Sequence, residues 1–455
     1  MSAPQTRHFR PRSRTPREIA LEILFHVDTR KAFADLQLNQ ALGRADLDPR
    51  DAALVTELVN GTVRWRGRLD WILGEHVKSG LDTLNPWVRN ALRMGLYQIL
   101  FLDRVPPHAA VDESVKLAKK HGNPGVAGLV NAVLRRLLRD GPAGRDPETV
   151  LKDPVLALAV ATSHPEWLVA RWVRRYGTEE ARRLLDANNR TPALGLRVNP
   201  LRTDRETLRR ALEGAGVPAE ATKFSRDTLR VDGRLTLRGL PEFERGHFFI
   251  QDESETLVVE LLDPRAGETV LDLCAAPGGK ACHIQERRKN QGTVTAVEVS
   301  DSRAVRIAEN VKRLGLTGVS VMVADGRTIE PDTPFDRVLV DAPCSGLGVL
   351  ARRADARWRK TEASMRGLLP LQTELLNAGA RLVKPGGVLV YSVCSNEPEE
   401  GPRHIQRLLE TDPRFTLEDA SGYLPQETVT DGALQMAPHR HGTDGAFAAR
   451  LRRNP

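Results

Sequence analysis

The hydrophobic period of this chain changes partway along it, and that change sets the architecture. In the first 140 residues apolar side chains recur at helical spacing, and no stretch alternates as a strand would. Thr15-Pro16-Arg17-Glu18 has the form of a capping box with proline at the first helical position, followed by Ala20, Ile23, Leu24 and Val27 on one face. Helical patterns continue through Ala52–Leu73, Trp87–Leu102, Ala110–Lys120 and Gly125–Arg139, separated by short Gly, Pro or Asp breaks. The pattern predicts an all-α N-terminal domain over residues 15–140. A basic, Arg-rich tail over residues 1–14 is expected to be disordered.

Residues 141–163, opening on GPAGRDPET, read as a linker. Helical segments His164–Tyr176, Thr178–Leu185 and Arg205–Ala215 then mix with strand-like Leu194–Val198 and Thr228–Val231, which predicts a small α+β middle module over 164–245. Beyond residue 246 strands and helices alternate. Strand candidates are Thr269–Leu273, Thr293–Val297, Val319–Val323, Arg337–Val340 and Val388–Tyr391; helical stretches are Lys280–Arg288, Ser302–Leu314 and Ser364–Leu382. That rhythm predicts a C-terminal α/β doubly wound, Rossmann-like domain over 246–455.

Charge and cysteine usage narrow the function classes. A formal net charge of +8 favours a polyanionic partner, nucleic acid first. The excess of Arg over Lys suits phosphate and base contacts, and a GC-rich genome produces the same bias. Arg135, Arg136 and Arg139 lie beside inward-facing Leu134, Leu137 and Leu138, either as a solvated face or as an RNA contact. The four cysteines form no CxxC pair and have no His cluster beside them, so neither a metal site nor a secreted disulfide framework is expected. The N-terminus has no apolar signal core and no apolar run is long enough to span a bilayer. A cytoplasmic protein with reduced thiols, away from membranes and monomeric, is expected.

In open α/β sheets ligands bind beyond the carboxyl ends of the strands, and the unusual segments fall there. After the first strand comes Cys274-Ala275-Ala276-Pro277-Gly278-Gly279-Lys280, whose small residues allow close backbone approach and whose following helix offers free N–H groups to an anion. Glu298 ends the second strand about 20 residues past the glycines, where a carboxylate can accept from ribose hydroxyls. Loop and acid alone suit either S-adenosylmethionine or a nicotinamide cofactor. Asp325, after the third strand, can accept from an adenine amino group or simply shape a turn.

Two further strands end in Asp341-Ala342-Pro343-Cys344 and in Tyr391-Ser392-Val393-Cys394. Two thiols on two strand-end loops of one sheet should converge on one pocket. A thiolate adding to C6 of a pyrimidine makes C5 nucleophilic toward a methyl donor, a carboxyl such as Asp341 can steady the N3/N4 edge, and a second thiol can assist the exit. A nearby cation, with Lys280 one candidate, would favour the thiolate.

LDLCAAPGGK (271–280), VDAPCSGLGVL (340–350) and YSVCS (391–395), in this order, resemble the Sun/Fmu family of RNA 5-methylcytosine methyltransferases. The likeness extends to GHFFIQDESE (246–255) and PHRHGTDG (438–445). TPREIALEILFHV (15–27), ELVNGTVRWRGRLDWIL (57–73) and VNAVLRRLLR (130–139) resemble the NusB-like RNA-binding domain of the branch that acts on small-subunit ribosomal RNA. The resemblance implies Cys394 as nucleophile and Cys344 as the cysteine assisting product release, the reverse of what Pro343-Cys344 alone suggests. It implies Asp341 touching cytosine and donor, and S-adenosylmethionine held by Cys274, Ala275, Ala276, Pro277, Gly278, Gly279, Lys280, Glu298, Asp325 and Asp341. The sequence departs from many relatives at Val393 (often Thr), Glu298 (often Asp) and Ala446 (often bulkier). Alternatives are a transfer RNA substrate for the same chemistry, a non-catalytic RNA-binding assembly factor, and a nicotinamide oxidoreductase. The paired thiols and the absence of GxGxxG argue against the last two.

Overall fold

The computed structural model describes residues 14–45, 47–233, 235, 237 and 239–455; apart from Arg14, the expected basic tail lies outside them. The chain divides into two compact units. One comprises residues 1–173 with 353–359, the other residues 174–352 with 360–455.

The described part of the first unit is helical. Its larger helices are Pro16–Arg30, Ala34–Arg44, Pro49–Arg64, Arg66–Gly74, Pro86–Phe101, Pro107–His121 and Pro124–Asp140. Five of these seven begin with proline, which has no N–H to leave orphaned and a φ already helical. Thr15, Asp48, Asn85 and Asn123 accept hydrogen bonds from first-turn amides, so the starts are written locally. Helix Pro86–Phe101 is central, burying Ala91, Leu92, Met94 and Leu96 and packing against five of the others. Its buried Arg93 forks onto Asp70, at 2.6 and 2.8 Å, and reaches Asp28 at 3.3 Å.

Two expectations need correction here. The single helix read over Ala52–Leu73 breaks at Trp65, whose ring stacks on Phe101 and whose backbone leaves helical geometry. The stretch 141–163, read as a linker, carries helices Pro147–Val150 and Pro154–Thr162. Asp146 and Asp153 cap them, and Ala157, Leu158 and Ala159 are buried. The turn-rich opening of that stretch hid a short helix held by packing rather than by periodicity. The unit also contains the distant segment Arg353–Arg359. Trp358 Nε1 donates to the Val63 carbonyl at 2.7 Å, and fully buried Arg357 donates to the Ser163 carbonyl at 3.1 Å.

The second unit holds two sheets. Strands β1 (Leu194–Val198), β2 (Glu220–Ala221), β3 (Thr228–Val231) and β4 (Phe248–Ile250) form an antiparallel sheet in the order β2-β3-β1-β4. The large sheet contains β5 (Thr269–Asp272), β6 (Thr293–Glu298), β7 (Val319–Val323), β8 (Phe335–Asp341), β9 (Val383–Val393), β10 (Phe415–Glu418), β11 (Val429–Thr430), β12 (Ala433–Met436) and β13 (Ala446–Arg453). Its order is β11-β12-β13-β9-β8-β5-β6-β7, with β10 paired to β13. Strands β5 to β9 are parallel, and β13 runs antiparallel to β9. Val338–Val340 on β8 and Leu389–Tyr391 on β9 are buried throughout, as central parallel strands covered on both faces must be. The chain leaves β5 in one direction through β6 and β7, then returns to its other side as β8 and β9. The switch point between β5 and β8 is where a crevice opens. The helix read over Ser364–Leu382 is split into Glu362–Arg366 and Leu369–Leu382, with Pro370 in the first turn of the second.

The small sheet is joined to the large one by a buried ion pair. Arg197 on β1 and Glu286 on helix Gly279–Arg287 meet at 3.0 and 3.1 Å, both fully out of water. Arg197 Nη1 also donates to the Gly279 carbonyl at 2.7 Å and to Gln251 Oε1. Removing one partner strands the other charge, so Arg197→Met should lower unfolding free energy by about 3–5 kcal/mol. Urea titration of that variant beside Arg197→Met/Glu286→Leu checks it. The double variant, which removes both charges, should recover most of the loss.

Candidate active site

The loop after β5 is shaped by its glycines. Ala275 N–H donates to the Val297 carbonyl at 2.8 Å, holding the loop to β6. Gly278 sits at φ +98, and a Cβ there would stand 3.1 Å from Ile307, so a side chain would be both strained and crowded. Cys282 N–H makes the first bond of helix Gly279–Arg287, to the Gly278 carbonyl at 2.9 Å. The amides of Gly279 and Lys280 precede that bond and point off the helix start. Glu298, at the end of β6, is 4% exposed; it accepts from Ser300 N–H at 3.0 Å and has Arg303 at 3.5 Å. Asp325, beyond β7, is held by Arg327 at 2.9 and 2.6 Å, which keeps its carboxyl below the usual range.

One ammonium ties three segments together. Lys280, 6% exposed, pairs with Glu255 and with Asp341 Oδ2, the latter at 2.8 Å. Ser392 Oγ donates to Asp341 Oδ1 at 2.7 Å, across the β8–β9 register that sets Asp341 opposite Ser392. Lys280 thus has its charge on two carboxylates, one of them the acid that the sequence places at the pyrimidine.

Three residues past Asp341 and two past Ser392 the sulfurs meet. Cys344 Sγ and Cys394 Sγ lie 3.2 Å apart. The hydrogen bond with Cys394, together with burial, holds the Cys344 thiol well above the ordinary thiol range. Burial also pushes up the thiols of Cys274 and of Cys282, the latter to about 12. The Cys394 carbonyl accepts from Gly348 N–H at 3.1 Å, and the Gly348 carbonyl accepts from Gly445 N–H at 2.8 Å. Arg352 closes this side, bonding Asp252 at 2.6 Å and Asp444 at 2.5 Å, while Asp444 N–H donates to Asp252 at 3.0 Å.

Each candidate catalytic or cofactor residue singled out from the sequence lies at the carboxyl edge of the parallel strands. The structure pairs Lys280 with Asp341, and Cys344 with Cys394 past the ends of neighbouring strands β8 and β9, with Cys274–Gly279, Glu298 and Asp325 along the other strand ends. Sequence reasoning missed Glu255, Ser392, Arg352, Asp252, Asp444 and Asp272. The first, fourth and fifth stand inside the quoted QDESE and GTDG segments, whose likeness to the family was the available signal. Asp272 is fully buried, with the Cys274 and Ala281 amides facing it.

The fold and this site define a Rossmann-like methyltransferase domain, preceded by a ferredoxin-like module and a NusB-type helical domain. The family described as 16S rRNA methyltransferase RsmB/F matches residues 259–452, its ferredoxin-like domain matches 164–238, and the NusB family matches 14–139. A probable ribosomal RNA small subunit methyltransferase B of Bacillus subtilis (strain 168) is 38% identical over 96% of this chain and 98% of its own length. Ribosomal RNA small subunit methyltransferase B of Yersinia pseudotuberculosis (serotype O:1b, strain IP 31758) is 36% identical over 89% of this chain and 91% of its own. The crystal structure of PH0851 superposes with a TM-score of 0.82 at 29% identity, covering 96% of this chain and 99% of that one. The chain belongs to the ribosomal RNA small subunit methyltransferase B family.

Burial, with Asp341 nearby, pushes Asp272 up to about 8. An unfolded Asp titrates near 4. The folded state therefore holds the extra proton between these values, and stability from this group falls as pH rises from about 4 to about 8. Asp272→Asn, uncharged at every pH, should melt progressively higher relative to the parent as pH is raised through that window. A pH series of thermal melts checks it; parallel curves would contradict the assignment.

Proposed function

We propose that this chain methylates C5 of a cytosine in small-subunit ribosomal RNA, with Cys394 as covalent nucleophile and S-adenosylmethionine as donor. The observation that carries the reading is the 3.2 Å approach of the Cys344 and Cys394 sulfurs on loops whose strands also present Asp341. The donor set suits the cofactor: a buried Glu298 carboxylate fits a ribose diol, and the helix start at Gly279 and Lys280 fits a carboxylate. Bound S-adenosylmethionine supplies the methyl group that C5 takes up. The chain's own groups do the rest. Cys394 sulfur bonds to C6 and pushes the ring electrons toward C5; Asp341, oriented by Lys280 and Ser392, steadies the N3/N4 edge. Water takes the C5 proton, the freed electron pair re-forms the C5–C6 double bond, and the C6–S bond breaks to release Cys394 as a thiolate. Cys344, held as a protonated thiol, supports that departure.

A ribosomal rather than transfer RNA substrate is favoured by the NusB match over 14–139 and by relatives bearing the small-subunit name over nearly their whole length. The reading also places the protein in the cytoplasm with its RNA; no helix among the described residues is long and apolar enough to cross a membrane.

Bisulfite sequencing of ribosomal and transfer RNA from cells with and without the gene should show one small-subunit cytosine losing its mark. Loss only in transfer RNA would redirect the substrate; no loss would favour a non-catalytic assembly factor. Cys394→Ala should abolish turnover with S-adenosylmethionine binding intact by thermal shift. Cys344→Ala should accumulate a gel-stable RNA–protein adduct, because the linked state forms but no longer resolves. RNA affinity should fall linearly with salt on a log–log scale, through counterion release.

A further inference from the structure

Between the two cysteine loops lies a carboxylate that no step above uses. Glu400 is fully buried. Its Oε2 accepts from Ser345 Oγ and from Ser395 Oγ, each at 2.5 Å; its Oε1 accepts from Ser345 N–H at 2.7 Å and from Gln372 Nε2 at 3.1 Å. Its own carbonyl accepts from Tyr391 O–H at 2.8 Å, at the end of β9. Ser345 directly follows Cys344, and Ser395 directly follows Cys394. One side chain therefore bonds the residue after each thiol. All four donors to the carboxylate are neutral. Burying a carboxyl group is a costly way to hold a fold together, since an apolar side chain of similar volume would serve stability as well. What a carboxylate offers and an apolar group lacks is two acceptor oxygens in a fixed plane. One oxygen spans both loops while the other fixes the Cys344 loop by its backbone.

We propose that Glu400 is a positioning residue that sets the separation of the Cys344 and Cys394 sulfurs. Its Oε2 fixes the hydroxyl just beyond each sulfur and its Oε1 the Ser345 backbone, so the gap between the loops is set by one shared oxygen. The catalytic value of that gap rests on the covalent reading proposed above. A sulfur that must leave C6 while its neighbour assists tolerates little drift, and misplacement by about an ångström costs on the order of 100-fold in rate.

The test reads spacing and turnover separately. Glu400→Gln keeps the shape but leaves one acceptor oxygen where there were two. Its kcat should fall about 100-fold while the KM for S-adenosylmethionine stays near the parent value, because the donor site lies on other strand ends. Spacing is read without RNA by diamide, which takes two electrons and two protons from a thiol pair and leaves a disulfide. Formation of the Cys344–Cys394 link should be several-fold slower in Glu400→Gln than in the parent. Ser345→Ala/Ser395→Ala should give the same two losses, and adding Glu400→Gln to it should give no further loss of kcat; this variant also decides the matter if Glu400→Gln does not fold. Parent-like kcat or parent-like cross-linking in a folded Glu400→Gln protein would overturn the proposal. If the parent protein methylates no cytosine yet cross-linking still depends on Glu400, the covalent reading fails and the positioning role stands.

Discussion

A single buried ammonium organises this molecule. Lys280 is buried between Glu255 and Asp341, whose side chains stay 22% and 29% exposed. An unpaired ammonium at that buried position is far more costly than in water, so it holds both acids in place. Lys280 belongs to the glycine loop after β5, Asp341 ends β8, and Glu255 lies on the helix that leads into β5. The pairing therefore joins the segment suited to a donor with the segment suited to a base. It also orients Asp341, whose two carboxyl oxygens meet the ammonium and the Ser392 hydroxyl.

Around that centre the strand-end loops are held by separate devices on separate sides. Arg352 joins Asp252 to Asp444 on one flank, and backbone bonds carry the restraint through Gly445 and Gly348 to the Cys394 carbonyl. Arg197 acts behind the glycine loop, gripping the Gly279 carbonyl from the small sheet. The ferredoxin-like module is thus part of the support for the donor loop. A loop this free of secondary structure keeps one shape only because polar groups on three sides leave its backbone no alternative partners.

Legibility in the sequence followed the range of the interactions. Strand and helix positions in the large sheet were readable because a parallel strand covered on both faces must be a short apolar run, as Arg337–Val340 and Val388–Tyr391 are. The first helix start, Thr15-Pro16, was readable because proline and a capping side chain act within four residues; the later starts were read one to three residues late, and helix Ala34–Arg44 was missed. The cysteine loops were readable because strand ends in such sheets share one edge. Arg197 was not, since its partner Glu286 is 89 positions away and nothing local marks the strand as carrying a buried charge. Glu400 was hidden inside Asn396-Glu397-Pro398-Glu399-Glu400, which reads as a solvated acidic turn. The short strands β10, β11 and β12 were missed because two to four residues carry too little pattern. The helices of 147–162 were missed because flanking Pro, Gly and Asp outweighed them.

The segment Arg353–Arg359 has a consequence for dissecting this protein. It follows Cys344 by only nine residues, yet its Trp358 and Arg357 are folded into the helical unit, and the chain then returns to the sheet. The backbone crosses from one unit to the other three times rather than once. No single cut yields two intact halves: a fragment starting at Arg174 would carry a bared tryptophan and an orphaned guanidinium on the tether leading straight from its own sulfur-bearing loop. Limited proteolysis and domain swaps in this family must treat the two halves as a threaded pair, not as beads on a string.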